Sequence, residues 1–460
     1  MSDRGRAPPK EGSTEAPTRH ALRWREAEFY DLDKVEREME RVFDICHGCR
    51  RCFNLCDSFP KLFDLVDNAP SGELDTVDKA AYATVADACT LCDMCFMTKC
   101  PYVPPHEFDL DFPHLILRYR AAMRAKEGVP LVRRELAKTD RNGRLAGLVE
   151  GLANWAIGEK NFGMRNMLED LAGVHREAAL PKYHGNTLEK RAKAAPGLAN
   201  RAAPGYGRKA VLYATCFANF NNPEIGEAAR AVLAWNGVEV TVAYPACCGM
   251  PMLEQGAIEQ VAANARRIAE SLLPLVEAGH AIVAPVPSCA LMLKSEWPLI
   301  LPDDPVVATV SKATMDITEY VVDIAKKEGL APGLRPLATP VTLHLACHAR
   351  AQNMGAKGAE MLRLIPDIKL AVIERCSGHG GAWGVLKENF PLALKVGRPV
   401  ARQALGALGI VTSECPLAAD HIRQGMERVA GEGPVPAAVP HPILLLAEAY
   451  GLGGPGGTRQ

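Results

Sequence analysis

No apolar run of about eighteen residues occurs anywhere in the sequence, so a membrane-spanning helix is excluded on length. The most apolar stretches, Leu145 to Ile157 and Pro442 to Leu452, are too short to span and are expected to pack on a core; any membrane contact would be peripheral. Net charge is lacking too. With 53 Lys and Arg against 54 Asp and Glu, the formal charge of −1 gives no global reason to expect nucleic acid as partner. Met1 to His20 is polar and Pro-rich without the apolar segment of a secretory signal, so a cytoplasmic chain without disulfides is expected. A Gly-x-Gly-x-x-Gly turn is also missing. Gly378, Gly380, Gly381 and Gly384 miss that spacing and the run from Gly451 to Gly457 opens no helix, so no flavin or nicotinamide site is expected.

Cysteine, by contrast, is abundant: the chain has 15. Eight fall in two runs, Cys46, Cys49, Cys52 and Cys56, then Cys89, Cys92, Cys95 and Cys100 followed by Pro101. In each run two residues separate the first three cysteines, which is the spacing with which bacterial ferredoxins hold a [4Fe-4S] cluster, the fourth thiolate coming from the other run. On that pattern Cys46, Cys49, Cys52 and Cys100 hold one cluster, and Cys89, Cys92, Cys95 and Cys56 the other. Structural zinc is the competing reading, but zinc takes two pairs of ligands, whereas each run offers a third cysteine at the same spacing.

The pattern along the chain predicts a multi-domain α+β protein. Residues 1–28 read as a disordered N-terminus, with Pro8, Pro9 and Pro17 among polar residues. Residues 29–184 read as a helical ferredoxin-type domain, opened by a helix in which Val35, Met39, Val42 and Phe43 share one face. Within it Arg118, Arg120, Arg124, Lys126, Arg133, Arg134, Lys138, Arg141 and Arg144 face only Glu127, Glu135 and Asp140. This is either a solvated helix face or a dock for anionic lipid or an acidic partner. Residues 185–208 read as a basic Pro/Gly/Ala linker. Beyond it, short β-branched runs alternate with helical ones, as in an α/β domain with a parallel sheet.

That second region repeats itself. Strand-like runs at Ala210–Ala214, Val238–Ala243 and Ala281–Val286 deliver Cys216, then Cys247 and Cys248, then Cys289. Runs at Val341–Leu345, Leu370–Glu374 and Ile410–Ser413 deliver Cys347, Cys376 and Cys415, offset from their counterparts by 131, 129 and 126 residues. Two similar lobes, 209–330 and 331–460, are therefore expected, with all seven cysteines past the carboxyl ends of strands, where an α/β sheet places its functional crevice. A thiolate-bound cluster is anionic and would be favoured there by neighbouring helix N-termini.

The set Cys216, Cys247-Cys248-Gly249 and Ser288-Cys289, with its echo Cys347, Cys376-Ser377-Gly378 and Cys415-Pro416, resembles the two cysteine-cysteine-glycine (CCG) domains of heterodisulfide reductase B and D subunits. With the ferredoxin module in front, the order of parts is similar to the C subunit of anaerobic glycerol-3-phosphate dehydrogenase and to the iron-sulfur subunits of glycolate and lactate oxidase systems. The resemblance implies electron transfer from a flavoprotein dehydrogenase toward quinone or another acceptor. It also implies a further iron-sulfur cluster on Cys216, Cys247, Cys248 and Cys289 of the first lobe. Heterodisulfide reductase domains end in Cys-x-x-Cys, whereas this chain has Met292 and Ala418 at the final position, so five-thiolate ligation is ruled out in both lobes. The second lobe, with Ser377 in place of a cysteine, is either vestigial or holds a fourth cluster on Cys347, Cys376, Cys415 and a non-thiolate ligand. The candidates for that ligand are His379, His348 and Ser377.

Two functions of different class follow. The leading one is an electron-transfer subunit; the alternative is a heterodisulfide-reductase-like enzyme that reduces a disulfide or peroxide at an open iron in the CCG region. A zinc-stabilised scaffold is the third reading.

Overall fold

In the computed structural model, which describes residues 17–407 and 409–453, the chain divides into two units. The first comprises the described residues up to Val129 together with Leu253–Glu259; the second comprises Pro130–Met252 and the described residues from Gln260 onward.

The first unit is helical. Its opening helix, Leu32–Cys49, starts where the Asp31 side chain accepts the Lys34 N–H and ends at Arg50 in the left-handed conformation. Val35, Met39, Val42 and Phe43 form its buried stripe. The helices Ser58–Asp67 and Phe112–Glu127 pack there through aromatic rings: Phe59 meets Phe112 at 4.8 Å and Phe43 meets Tyr82 edge-on at 5.1 Å. Of the stretch expected to be disordered, residues 1–16 lie outside the described residues, but the rest is tied down. Arg19 pairs with Asp93 and Asp111 and lies over the Phe96 ring, and Leu22 is buried.

The second unit holds two parallel sheets. The first has the order β2-β1-β3-β4, with β1 at Lys209–Tyr213, β2 at Glu239–Ala243, β3 at His280–Ala284 and β4 at Thr314–Asp316. The other has the order β6-β5-β7, from β5 at Val341–His344, β6 at Leu370–Ile373 and β7 at Ile410–Ser413. The first three strands of each sheet have the same arrangement, so the internal repeat extends to topology. The central strands β1 and β5 are buried on both faces, as parallel strands covered by helices must be. Helix Pro442–Ala449 packs on helix Pro223–Trp235, joining the lobes in one apolar core.

Three expectations need correction. Residues 130–184 belong to the second unit rather than to the ferredoxin domain, because helix Thr139–Leu148 packs on the short helix Cys216–Phe220. The stretch 185–208 contains helix Leu188–Ala194, whose Leu188 is fully buried against Gly226, so it is not a free linker. Finally, Pro442–Ala449 is core as expected, but Leu145–Ile157 is not: Leu148, Leu152 and Trp155 are 80%, 64% and 58% exposed. No helix among the described residues is long and apolar enough to cross a membrane.

Candidate metal centres

Among the described residues no cysteine is joined to another by a disulfide. In the first unit the cysteines fall into two groups that cut across the sequence runs. Burial raises the Cys46 thiol well above its ordinary value, and next in effect come the charges of Cys100, Cys52 and Cys49. Cys56 is raised in the same way, by burial and then by Cys92 and Cys89. Cys95 is raised by burial and by Cys92, Cys89 and Cys56, with a smaller effect from Cys52. Cys100 is thus drawn to the first run and Cys56 to the second. The loops that carry the thiols are strained or braced. Leu91 and Asp93 have positive φ between the cysteines of the second run. Arg120 bonds the carbonyls of Ala86, Cys89 and Glu254; like Arg118, which caps Glu28 and Phe29, it is spent on backbone oxygens rather than presented as a docking charge.

In the first lobe of the second unit, Cys216, Cys247, Cys248 and Cys289 form one chain of contacts. Cys216 touches Cys247, Cys247 touches Cys248, and Cys248 touches Cys289. Mutual contact, burial and like charge raise Cys216 and Cys248, while Cys247, which accepts from its neighbours, is lowered. The Cys-Cys-Gly loop is held from several sides. Tyr213 Oη donates to the Ala246 carbonyl at 2.5 Å, Trp297 Nε1 to the Cys248 carbonyl at 3.0 Å, and the Cys247 N–H to Asp140 Oδ2 at 3.0 Å. Gly249 turns the loop with φ +99°, where a side chain would be strained and would crowd Val261.

The second lobe keeps this turn but changes its chemistry. Gly378 has φ +83°, and a Cβ there would stand 2.2 Å from the Ala393 carbonyl oxygen. Cys376 Sγ accepts the Gly378 N–H at 3.4 Å. Cys415 is pushed up to about 11, mainly by burial, and its Sγ lies 3.8 Å from His379 Nε2. His379 is itself driven down to about 3 by burial first and then by His421, His348 and His344. His348 Nδ1 is bonded to Ser288 Oγ at 2.7 Å across the lobes, and Ser377 is buried. Cys347 opens helix Cys347–Ala351, which packs on helix Pro287–Leu291, the carrier of Cys289.

Some polar groups around these thiols left no mark in the cysteine spacing. Thr139 and Asp140 precede the lobe by a long stretch of chain. Glu414 and Asp316 sit at the carboxyl ends of β7 and β4, each with a buried oxygen lacking a partner. Burial, and then Asp316, push Glu414 up to about 8. Among the described residues, no three His, Cys, Asp or Glu side chains converge as ligands of a single metal ion. Whether a cluster fits is therefore a matter of the donor set: two quartets of thiols in the first unit and one in the second, each gathered from separate loops.

Fold and thiols together define a protein with a cysteine-rich CCG lobe, and comparison with known proteins agrees: residues 210–294 match the family model of the Cysteine-rich domain (CCG). The chain is similar to the C subunit of anaerobic glycerol-3-phosphate dehydrogenase from Escherichia coli (strain K12), 27% identical over 321 residues that cover 68% of this chain and 76% of the relative. It is also similar to lactate utilization protein A of Bacillus pumilus (strain SAFR-032), 27% identical over 45% of this chain and 87% of the relative. The same protein of Bacillus cytotoxicus is 29% identical over 38% and 74%.

Proposed function

We propose that this chain is an iron-sulfur electron-transfer subunit, taking electrons from a flavoprotein dehydrogenase and passing them to quinone or another acceptor. The observation that carries the proposal is the gathering of thiols into quartets that ignore sequence order, Cys100 with Cys46, Cys49 and Cys52, and Cys56 with Cys89, Cys92 and Cys95. Each quartet would hold one [4Fe-4S] cluster, and Cys216, Cys247, Cys248 and Cys289 a third centre. When bound, such centres supply one-electron transfer at potentials set by charge, hydrogen bonds to sulfur and exposure. The protein's part is to bury the sulfurs, hold their loops rigid and keep water away. The similarity to a dehydrogenase subunit supports a dehydrogenase partner.

In the second lobe we assign His379 the role of hydrogen-bond donor rather than ligand. Its Nδ1 accepts the Gly381 N–H at 2.9 Å, so the proton of the neutral ring sits on Nε2, aimed at Cys415. Metal at Nε2 would have to displace that proton and leave an imidazolate.

The proposed membrane contact is with an anionic lipid surface, through Leu145, Leu148, Leu152 and Trp155. These exposed residues lie on the two consecutive helices Thr139–Leu148 and Glu150–Ala156, with Arg141 and Arg144 on the first of them. Anaerobic reconstitution followed by iron and sulfide analysis tests the electron-transfer reading. About twelve irons per chain are expected, and fewer than about eight would leave it without its carriers.

A further inference from the structure

Thr139 and Asp140 begin the helix Thr139–Leu148, upstream of the residues that match the Cysteine-rich domain. Asp140 closes two bonds onto the loop that carries the central thiols: Oδ2 accepts the Cys247 N–H at 3.0 Å, and Oδ1 accepts the Tyr244 hydroxyl. The Thr139 hydroxyl oxygen is shielded from solvent and makes no hydrogen bond in the structure, and it lies close enough to Cys216 and Cys247 to lower both thiols. The helix cannot drift away from this position. A Cβ on Gly143 would stand 2.4 Å from the Phe220 ring, so the helix backbone lies directly on that ring. Phe220 in turn meets Tyr244 edge-on at 5.5 Å. Gly143, Phe220, Tyr244 and Asp140 are thus linked in a closed circuit beside Cys216 and Cys247.

We infer that Thr139 and Asp140 are positioning residues of the first-lobe centre: Asp140 fixes the Cys247 backbone, and the Thr139 hydroxyl donates its one proton to a bound thiolate, Cys216 or Cys247, and thereby raises the centre's potential. The inference rests on the iron-sulfur reading of that quartet. A carboxylate beside an anionic centre would be unfavourable if its role were electrostatic. Its two bonds, however, consume donors of the loop, and the fixed loop is what delivers both sulfurs. A hydroxyl donor acts in the opposite sense, since hydrogen bonds to sulfur stabilise the reduced, more negative state. An O–H···S bond is available to Ser as well as Thr, but not to the isosteric Val.

The test uses the full-length reconstituted chain. Redox titration followed by electron paramagnetic resonance is run on wild type, Thr139→Val, Thr139→Ser and Asp140→Ala, with iron content measured in parallel. For Thr139→Val we expect unchanged iron content, unchanged signals from the two ferredoxin-type centres, and a shift of the third centre to lower potential that Thr139→Ser reverses. For Asp140→Ala we expect loss of about four irons, the third centre's share, with the other two retained. A third centre whose potential is the same in Thr139→Val as in wild type would overturn the role of the hydroxyl. Full iron in Asp140→Ala would overturn that of the carboxylate. Should wild type itself lack a third centre, it is the assignment of the quartet that fails, an outcome separate from both.

Discussion

His379 Nε2 lies 3.8 Å from Cys415 Sγ, while the Nδ1 of the same ring is taken by the Gly381 N–H. A histidine fixed in this way can donate to a sulfur but is poorly prepared to replace one. His379→Ala is therefore expected to leave the iron and sulfide content of the reconstituted protein at the wild-type level. A loss of about four irons in that variant would make His379 a ligand after all.

The cross-over of thiols between runs makes a second prediction. Cys46→Ser and Cys100→Ser, from different runs, should remove the same paramagnetic signal, and Cys56→Ser and Cys89→Ser should remove the other. If each run held its own centre, Cys46→Ser would instead share its phenotype with Cys56→Ser.

The exposed stripe on residues 145–155 predicts sedimentation with anionic vesicles. Replacing Leu148, Leu152 and Trp155 together by Glu should weaken vesicle binding by about a hundredfold or more, because each apolar side chain lost from the interface removes roughly 1 kcal/mol or more. Exposed positions of this kind tolerate substitution, so the variant's thermal unfolding should be unchanged. No binding by wild type to vesicles rich in anionic lipid would rule out this contact.

Glu414 predicts a pH dependence. Its Oε2 accepts the Ala346 N–H at 2.9 Å, its Oε1 has no partner, and burial with Asp316 nearby holds its carboxyl near 8 against an ordinary 4.5. Between these values the unfolded chain releases the proton while the folded chain retains it. This group's contribution to stability is therefore greatest below 4.5 and is lost as pH rises toward 8. Glu414→Gln, which keeps an acceptor without the charge, should gain on the order of 2–5 kcal/mol over wild type between pH 4.5 and 8. Urea unfolding at both ends of that window measures it; parallel curves for the two proteins would contradict a buried, protonated Glu414.

The strands of the second unit were legible because short apolar runs bounded by Pro, Gly and Cys punctuate it. Six of the seven strands fall within one or two residues of those runs. The exception, Thr314–Asp316, has three residues and no apolar pattern of its own; it exists because β3 offers it an edge. The run from Leu145 to Ile157 is expected from its sequence to pack on a core, but composition reports that a stretch is apolar and not that it is covered. Here it forms two helices, Thr139–Leu148 and Glu150–Ala156, that leave its large side chains exposed. Leu188 was hidden among Lys, Arg and Ala, and its burial depends on Gly226, a residue remote in sequence. Thr139 and Asp140 were visible only as part of a basic stretch, because a contact to a distant loop leaves no local signature.

Cys95 is influenced not only by its own quartet but also by Cys52 of the other. Two anionic sites this near repel an added charge in each other. A module built in this way would fill stepwise, its second electron at a lower potential than its first. A partner that releases electrons in pairs would then have them parted on arrival.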